Sequence, residues 1–375
     1  MRTAPEVFLI GAAARKAGKT AFACRVIRRQ AVRSEVIGLK ITPLHNPDEP
    51  CPPAGDGCGE GLDVPGRFRL HEDRLASNET DTGRMLQAGA RRAYWLQAGP
   101  EHMEEALDSV WNRIPAGAGV VAEGNSARRA IEPGLFFLLR ERGNPDIKGS
   151  FDELRPLADR IAWFDGREWD VPPEDCRFID GRWMIRPRAS AVILAGGDSR
   201  RMGRDKALLD LDGQPLIERI AARVSELFDE VIIGAGRADD YAFLKRPVVP
   251  DREPGQGPLM GIASCLGRVS NELAFVTACD IPSPDLRFAA GLLEQAEGFD
   301  MVLPQSGPDT FETLFAVYRK SAAGPAFEIL AAGGRSILDL LDRIRVRIVP
   351  LPETVRLDNI NTIEDYDALR GNGRL

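Results

Sequence analysis

The 375-residue chain has no apolar run long enough to cross a bilayer, no excess of basic residues and only six cysteines. Each absence excludes a class of protein. The apolar stretch near the start, Val7-Phe8-Leu9-Ile10-Gly11, is too short for a membrane span or a signal h-region. No small-residue cleavage site follows it, so it reads as a buried first strand. Lys and Arg number 49 against 56 Asp and Glu, giving a net charge of -7. A general nucleic-acid binder would carry the opposite balance. Cys24, Cys51, Cys58, Cys176, Cys265 and Cys279 are scattered through the chain, which is not how a disulfide framework is spaced. The expectation is a cytoplasmic protein with neither membrane nor nucleic acid among its partners.

What remains is ordinary globular material, 43% hydrophobic and 28% charged, in a chain long enough for two cores. Two stretches open alike, with an apolar strand, a glycine-containing loop bearing a lysine, and an amphipathic helix. The first runs from Val7–Ile10 through Gly18-Lys19-Thr20 into a helix ending near Arg33. The second runs from Ala191–Leu194 through Lys206 into a helix over Pro215–Leu227. Strand, glycine loop and helix in that order build phosphate sites in α/β folds. Short β-branched runs then alternate with helical stretches. Strands are expected at Val36–Ile41, Ala93–Leu96, Val120–Ala122, Leu135–Leu139 and Ile161–Phe164. In the second half they are expected at Val231–Ile233, Val248–Val249, Leu273–Thr277, Met301–Leu303, Thr313–Val317 and Val346–Val349. Such continuous apolar runs point to mostly parallel sheets. Phe178 to Ile185 reads as a hairpin around Asp180-Gly181, and the linker falls near Arg186 to Ala189. The reading is two α/β domains, each three layers deep (αβα), over residues 1–186 and 187–375. The Pro- and Gly-rich stretch Thr42 to Pro65 is long for a loop within a domain.

The sharpest motif is Leu194-Ala195-Gly196-Gly197-Asp198-Ser199-Arg200-Arg201-Met202-Gly203-Arg204-Asp205-Lys206. Its glycines let backbone N–H groups approach a phosphate, and Arg201 and Lys206 complement a triphosphate. Asp280 ends a buried strand, where α/β ligand sites lie, and suits a Mg²⁺ ligand. Ser283, rather than Asp280, stands where the following helix needs a cap.

This stretch resembles the molybdenum cofactor guanylyltransferases. The resemblance continues through Pro250-Asp251, Gly257-Pro258-Leu259-Met260-Gly261-Ile262, Thr277-Ala278-Cys279-Asp280-Ile281-Pro282 and Asn359-Ile360-Asn361-Thr362. It implies a Rossmann-like nucleotidyltransferase domain of the nucleotide-diphospho-sugar transferase type. It implies that Asp280 holds Mg²⁺ and that Leu194, Ala195, Gly196, Gly197, Lys206, Asp251 and Asp280 meet GTP. The implied catalytic residues are Arg201, Lys206 and Asp280. Asn359 and Asn361 either complete the metal or substrate site or simply form a turn. The implied reaction joins GMP to molybdopterin and releases pyrophosphate. Two places depart from the family: Gly234-Ala235-Gly236 stands where relatives often have Asn, and Phe311-Glu312-Thr313 where they show a proline motif. Cousins that transfer cytidylate usually read L-A-A-G, so Gly196-Gly197 favours guanylate. The rivals are a cytidylyl- or sugar-1-phosphate nucleotidyltransferase of the same fold, and a cofactor-binding or delivery protein.

At the other end, Ala13 to Thr20 fits a P-loop except that Ala13 replaces the first glycine. The alternatives are a P-loop NTPase-like domain, with Gly18, Lys19 and Thr20 on phosphates and Thr20 on Mg²⁺, and a strand-turn-helix without nucleotide. This half resembles the small GTP-binding adaptor that assists the guanylyltransferase. The resemblance rests on Ile37-Gly38-Leu39-Lys40-Ile41-Thr42, on Asp81 to Ala90 and on Val121-Ala122-Glu123-Gly124. Where relatives have histidines after Lys40, this chain has Thr42 and later His45. Glu123 either orients a metal or caps a strand. Cys51, Cys58, His45 and His71 do not have standard zinc spacing and read as incidental loop residues or a metal site. The implied partners are GTP, the molybdenum cofactor, and molybdoenzyme apoproteins or other cofactor-biosynthesis proteins.

Overall fold

The opening apolar run lies in the interior of a seven-stranded sheet because every residue from Val7 to Ile10 is fully buried. The computed structural model describes residues 1–14, 16–44, 68–195, 205–211, 213–360, 362 and 365–367. The chain divides into two compact units, Met1–Arg186 and Pro187–Leu375, each with its own α/β sheet.

The first unit begins with β1 (Arg2–Ala12), α1 (Lys19–Gln30), β2 (Val36–Pro43), β3 (Phe68–Asp73) and α2 (Asp81–Gln87). It continues with β4 (Arg92–Ala98), α3 (Met103–Trp111), β5 (Gly119–Glu123), β6 (Ile131–Glu141), α4 (Gly149–Leu154) and β7 (Arg160–Phe164). The sheet order is β3-β4-β2-β5-β1-β6-β7, and only β3 runs antiparallel to its neighbour. Side chains alternate across the sheet. Val7 and Leu9 join a core with Met103, Leu107, Phe151 and Leu154 of α3 and α4. Phe8 and Ile10 join the opposite core with Phe22, Val26 and Met85 of α1 and α2. That makes three layers. The hairpin β8 (Cys176–Ile179) and β9 (Arg182–Ile185) turns through Asp180 and Gly181, at φ 49° and 74°, as a type I′ turn requires. Its Trp183 is fully buried and donates Nε1–H to Glu6 O at 2.9 Å.

The second unit contains β10 (Ser190–Leu194), a two-stranded ribbon β11 (Asp210–Leu211) and β12 (Gln214–Pro215), α5 (Leu216–Val224), β13 (Glu230–Ala235), β14 (Val248–Pro250) and α6 (Pro258–Leu266). It continues with β15 (Leu273–Ala278), α7 (Leu286–Glu294), β16 (Met301–Gly307), β17 (Thr310–Phe311), β18 (Phe315–Arg319), α8 (Ala323–Ala331) and β19 (Val346–Pro350). The order is β14-β13-β10-β15-β18-β16-β17, with β19 beside β16. The antiparallel β18 sits between β15 and β16. Val192, Leu194 and Val276 face α6 and α8. On the other face, Phe275 stacks on Phe228, and Phe288 of α7 stacks on Phe315.

Four expectations shift. The strand expected at Thr313–Val317 begins at Phe315, because Phe315 N–H donates to Glu312 O at 3.0 Å and closes a turn first. The helix expected to reach Leu227 ends at Val224, where Ser225 caps it. Asp285, not Ser283, caps α7, accepting from Phe288 N–H at 2.8 Å. The edge strand β3 has no counterpart among the expected strands, since its sequence Phe-Arg-Leu-His-Glu-Asp is mostly polar.

Candidate active site

In the second unit, β10, β13, β14 and β15 are mutually parallel, so their C-terminal ends share one edge of the sheet. Backbone bonds carry that order one residue beyond each strand. Ala195 N–H donates to Gly234 O at 2.7 Å, Asp251 N–H to Ala235 O at 3.1 Å, and Cys279 N–H to Leu194 O at 3.0 Å. Leu194 and Ala195 are buried, and Asp251 and Asp280 are half-buried.

The structure ties Lys206 to Asp280 through a third segment. Lys206 Nζ donates to Ile360 O at 3.0 Å, and Ile360 N–H donates to Asp280 O at 2.9 Å. Asn359 is exposed beside them. Burial raises the Asp280 carboxyl above the ordinary range while the Lys206 ammonium opposes the rise. Burial also raises Asp251. A Cβ added at Gly261 of α6 would stand 3.4 Å from Asp251 Oδ1 and 3.3 Å from Leu194, so glycine leaves room beside that carboxylate. Burial, with Asp280 and Asp205 adjacent, pushes the Cys279 thiol up to about 12. It stays protonated at neutral pH and is a poor nucleophile. Gly196, Gly197, Arg201 and Asn361 lie outside the described residues. So the structure brings together Leu194, Ala195, Lys206, Asp251, Asp280 and Asn359.

Tyr241 carried no motif, yet it belongs to this site. Its hydroxyl lies 3.0 Å from Ala195 O and 2.7 Å from Asp205 Oδ2.

The first unit holds a second candidate site. Gly18, at φ 80°, precedes α1, whose first residues are Lys19 and Thr20. The first N–H groups of a helix have no partner within it and favour an anion. Thr20 Oγ1 donates to Glu123 Oε2 at 2.8 Å. Glu123 is only 2% exposed, and Lys40 Nζ reaches its Oε1 at 3.2 Å and also pairs with Asp81. Burial lowers the Lys19 ammonium, with Glu123 opposing and Lys148 and Lys40 adding to the fall. Ala13, where a P-loop has glycine, does not occupy the left-handed region. It is buried, donating to Leu139 O at 2.9 Å and accepting from Lys148 N–H at 2.8 Å, so this backbone does not demand glycine there. A cavity of about 420 Å³ is lined by Gly18, Lys19, Thr20, Asp81 and Glu123. A second of about 460 Å³ shares Lys19, Lys40 and Glu123 with it and adds Asn125, Lys148 and Leu154. His71 lies on β3, whereas His45, Cys51 and Cys58 are outside the described residues. Among the described residues no group of three or more His, Cys, Asp or Glu is placed to hold a metal ion, and no helix is long and apolar enough to cross a membrane.

Comparison with known proteins places the second unit. Residues 191–346 match the MobA-like NTP transferase domain. A probable molybdenum cofactor guanylyltransferase of Carboxydothermus hydrogenoformans is 37% identical over 188 residues, spanning 48% of this chain and 94% of that protein. One from Pelotomaculum thermopropionicum is 40% identical over 162 residues, 43% of this chain and 78% of that protein. Among solved structures, molybdopterin-guanine dinucleotide biosynthesis protein A of Archaeoglobus fulgidus shares 26% identity at a TM-score of 0.43, covering 48% of this chain and 97% of that one.

Proposed function

We propose a reaction from one premise: through its C-terminal domain, the chain belongs to the MobA-like molybdenum cofactor guanylyltransferases. It is a nucleotidyltransferase. The proposed reaction moves GMP from GTP to the phosphate of molybdenum-loaded molybdopterin, yielding the guanine dinucleotide cofactor and pyrophosphate. An oxygen of the acceptor phosphate bonds to the α-phosphorus as the bond from that phosphorus to the β-phosphate bridge oxygen breaks. The acceptor is already ionised at neutral pH, so no protein base is needed. Catalysis then rests on positioning and on offsetting charge.

The observation that carries this reading is the link from Lys206 through Ile360 to Asp280. It joins the Lys206 ammonium to the backbone of Asp280 at the strand ends, and the ammonium acts electrostatically on the Asp280 carboxyl. Lys206, with Arg201, offsets charge on the triphosphate. Asp251 suits the N1–H and N2–H donors of guanine, which adenine lacks. Gly261 keeps space open beside it. Asp280 fits Mg²⁺, because an oxygen donor raised by burial gains from a cation, and Mg²⁺ is usually held by one or two carboxylates plus substrate phosphates. Bound there, Mg²⁺ would neutralise phosphate charge. Asn359 and Asn361 flank Ile360, whose N–H donates to the Asp280 backbone carbonyl, and suit a substrate contact.

For the N-terminal domain the proposed role is a P-loop adaptor that binds GTP and assists the transferase. Gly18, Lys19 and Thr20 would hold the phosphates. Thr20 and the buried Glu123 would sit at a Mg²⁺ position, and the Thr20–Glu123 bond supports that pairing. The experiment is to incubate the full chain with Mg²⁺, molybdenum-loaded molybdopterin and either GTP or CTP, then measure dinucleotide and pyrophosphate. Product with GTP that disappears in Asp280→Ala fits the proposal. Product with CTP only would move the chain to the cytidylyl branch, and no product with either would favour another acceptor or a delivery role.

A further inference from the structure

Tyr241 sits in a backbone conformation that needs a compensating contact. It is at φ 60°, and Lys245 four residues on is at φ 52°. Between them lies the short 3-10 turn Ala242–Leu244. The left-handed region is costly for a bulky aromatic residue. The side chain is 8% exposed, so its hydroxyl must find protein partners. The two it finds are Ala195 O and Asp205 Oδ2. These residues are the described neighbours, on either side, of residues 196–204.

The consequence runs onward through Asp205. Its other oxygen, Oδ1, accepts from Ala207 N–H at 3.0 Å and caps the 3-10 turn Lys206–Leu208. That turn begins with Lys206, whose ammonium donates to Ile360 O, and Ile360 N–H donates in turn to Asp280 O. The hydroxyl therefore lies against the end of β10 and, through its shorter contact to Asp205, supports the backbone that carries Lys206. Burial first, and the Asp205 carboxylate second, raise the Tyr241 phenol far above its ordinary value. It remains a donor at every working pH.

We infer that Tyr241 is a positioning residue for nucleotide transfer, acting through Asp205 to hold Lys206 over the triphosphate. This inference rests on the proposed nucleotide site. The phenol has one proton, and the shorter of its two contacts is the one to the Asp205 carboxyl oxygen. Tyr241→Phe deletes that bond and keeps the ring in its packing.

The test is a double-mutant cycle on the full chain with Tyr241→Phe and Lys206→Ala. Two quantities are measured: Mg·GTP affinity, in a Lys19→Ala background so that the N-terminal domain is not counted, and kcat and KM for transfer. Tyr241→Phe is expected to weaken Mg·GTP binding and kcat/KM on the order of tenfold while the melting temperature holds. In the Lys206→Ala background the same change is expected to cost nothing more. Equal losses in both backgrounds would mean that Tyr241 serves only to support the fold, and the inference would fail. No loss in the Lys206-containing chain would also overturn it. Should Tyr241→Phe fold poorly, Asp205→Ser removes the same bond from the other side, because its hydroxyl can still cap Ala207 N–H while the second oxygen that meets the phenol is gone. Should the chain bind GTP yet make no dinucleotide, the proposed reaction falls, and the affinity arm still decides the role of Tyr241.

Discussion

Asp280→Asn separates function from stability at one atom. The substitution is isosteric. The Asp280 backbone carbonyl still accepts from Ile360 N–H at 2.9 Å, so the link to Lys206 survives. What is lost is one negative charge at a position where burial disfavours it. If that charge binds the metal and opposes Lys206 during transfer, kcat/KM falls by about a hundred- to a thousandfold, as for other single electrostatic contributors. Stability moves the other way. A carboxyl whose folded pKa is raised binds its proton more tightly folded than unfolded. Its ionisation therefore costs stability as pH rises from the unfolded value through the raised one. Asparagine removes that cost. In metal-free buffer the variant should melt no lower than the parent at pH 7, with the advantage fading on acidification toward the ordinary aspartate range. Transfer kinetics and thermal melts between pH 4 and about 8 read both effects. Activity within about threefold of the parent, or a clear fall in melting temperature at pH 7, would refute the reasoning.

Three further outcomes follow from single contacts. Lys19→Met should abolish GTP binding at the N-terminal domain. It should leave the apo melting temperature unchanged or higher, because burial penalises that ammonium at neutral pH; titration with a fluorescent GTP analogue and a melt check both. Asp251→Asn should lower kcat/KM for GTP on the order of tenfold and narrow its lead over inosine triphosphate, which lacks the N2 amine. An unchanged GTP-to-inosine triphosphate ratio would remove Asp251 from base recognition. Gly134→Ala should destabilise the N-terminal domain by roughly 1–3 kcal/mol in urea melts. Its new Cβ would lie 2.1 Å from Pro5 O, at the register shift between β1 and β6.

The elements legible in the sequence were those with local causes. β1 and β10 announce themselves by continuous apolar runs, and the β8–β9 hairpin by Asp180-Gly181, whose positive φ values follow from the turn type. Both glycine loops stood out in the sequence as candidate phosphate sites because strand, glycine and lysine stand within a few residues. The contacts that organise those sites were not, because they join distant positions. Thr20 meets Glu123 across 103 residues, and Tyr241 meets Asp205 across 36. The register of the parallel sheet makes the first pairing, since Ile10 lies beside Glu123. The second depends on an aromatic residue entering the left-handed region, for which sequence carries no common signal. β3 escaped notice because an edge strand needs little apolar alternation.

The two lysine-bearing loops would meet the proposed anion by different electrostatic routes. In the N-terminal domain, Lys40 supplies cationic charge to Glu123 and Asp81. Lys19 makes no ion pair within 4 Å among the described residues and pays for its burial with a lowered pKa. That ammonium is better satisfied by an incoming phosphate than by the apo protein, so binding there should tighten the fold as well as fill the site. In the C-terminal domain, Lys206 is already held against the backbone carbonyl of Ile360, whose N–H donates to the Asp280 carbonyl. A cation fixed in advance loses less side-chain freedom when the triphosphate arrives, and it stands ready for charge that develops during bond breaking. The first arrangement suits a domain whose state reports nucleotide, and the second suits one that turns nucleotide over. That contrast is what the proposed pairing of a nucleotide-binding adaptor with a transferase would require.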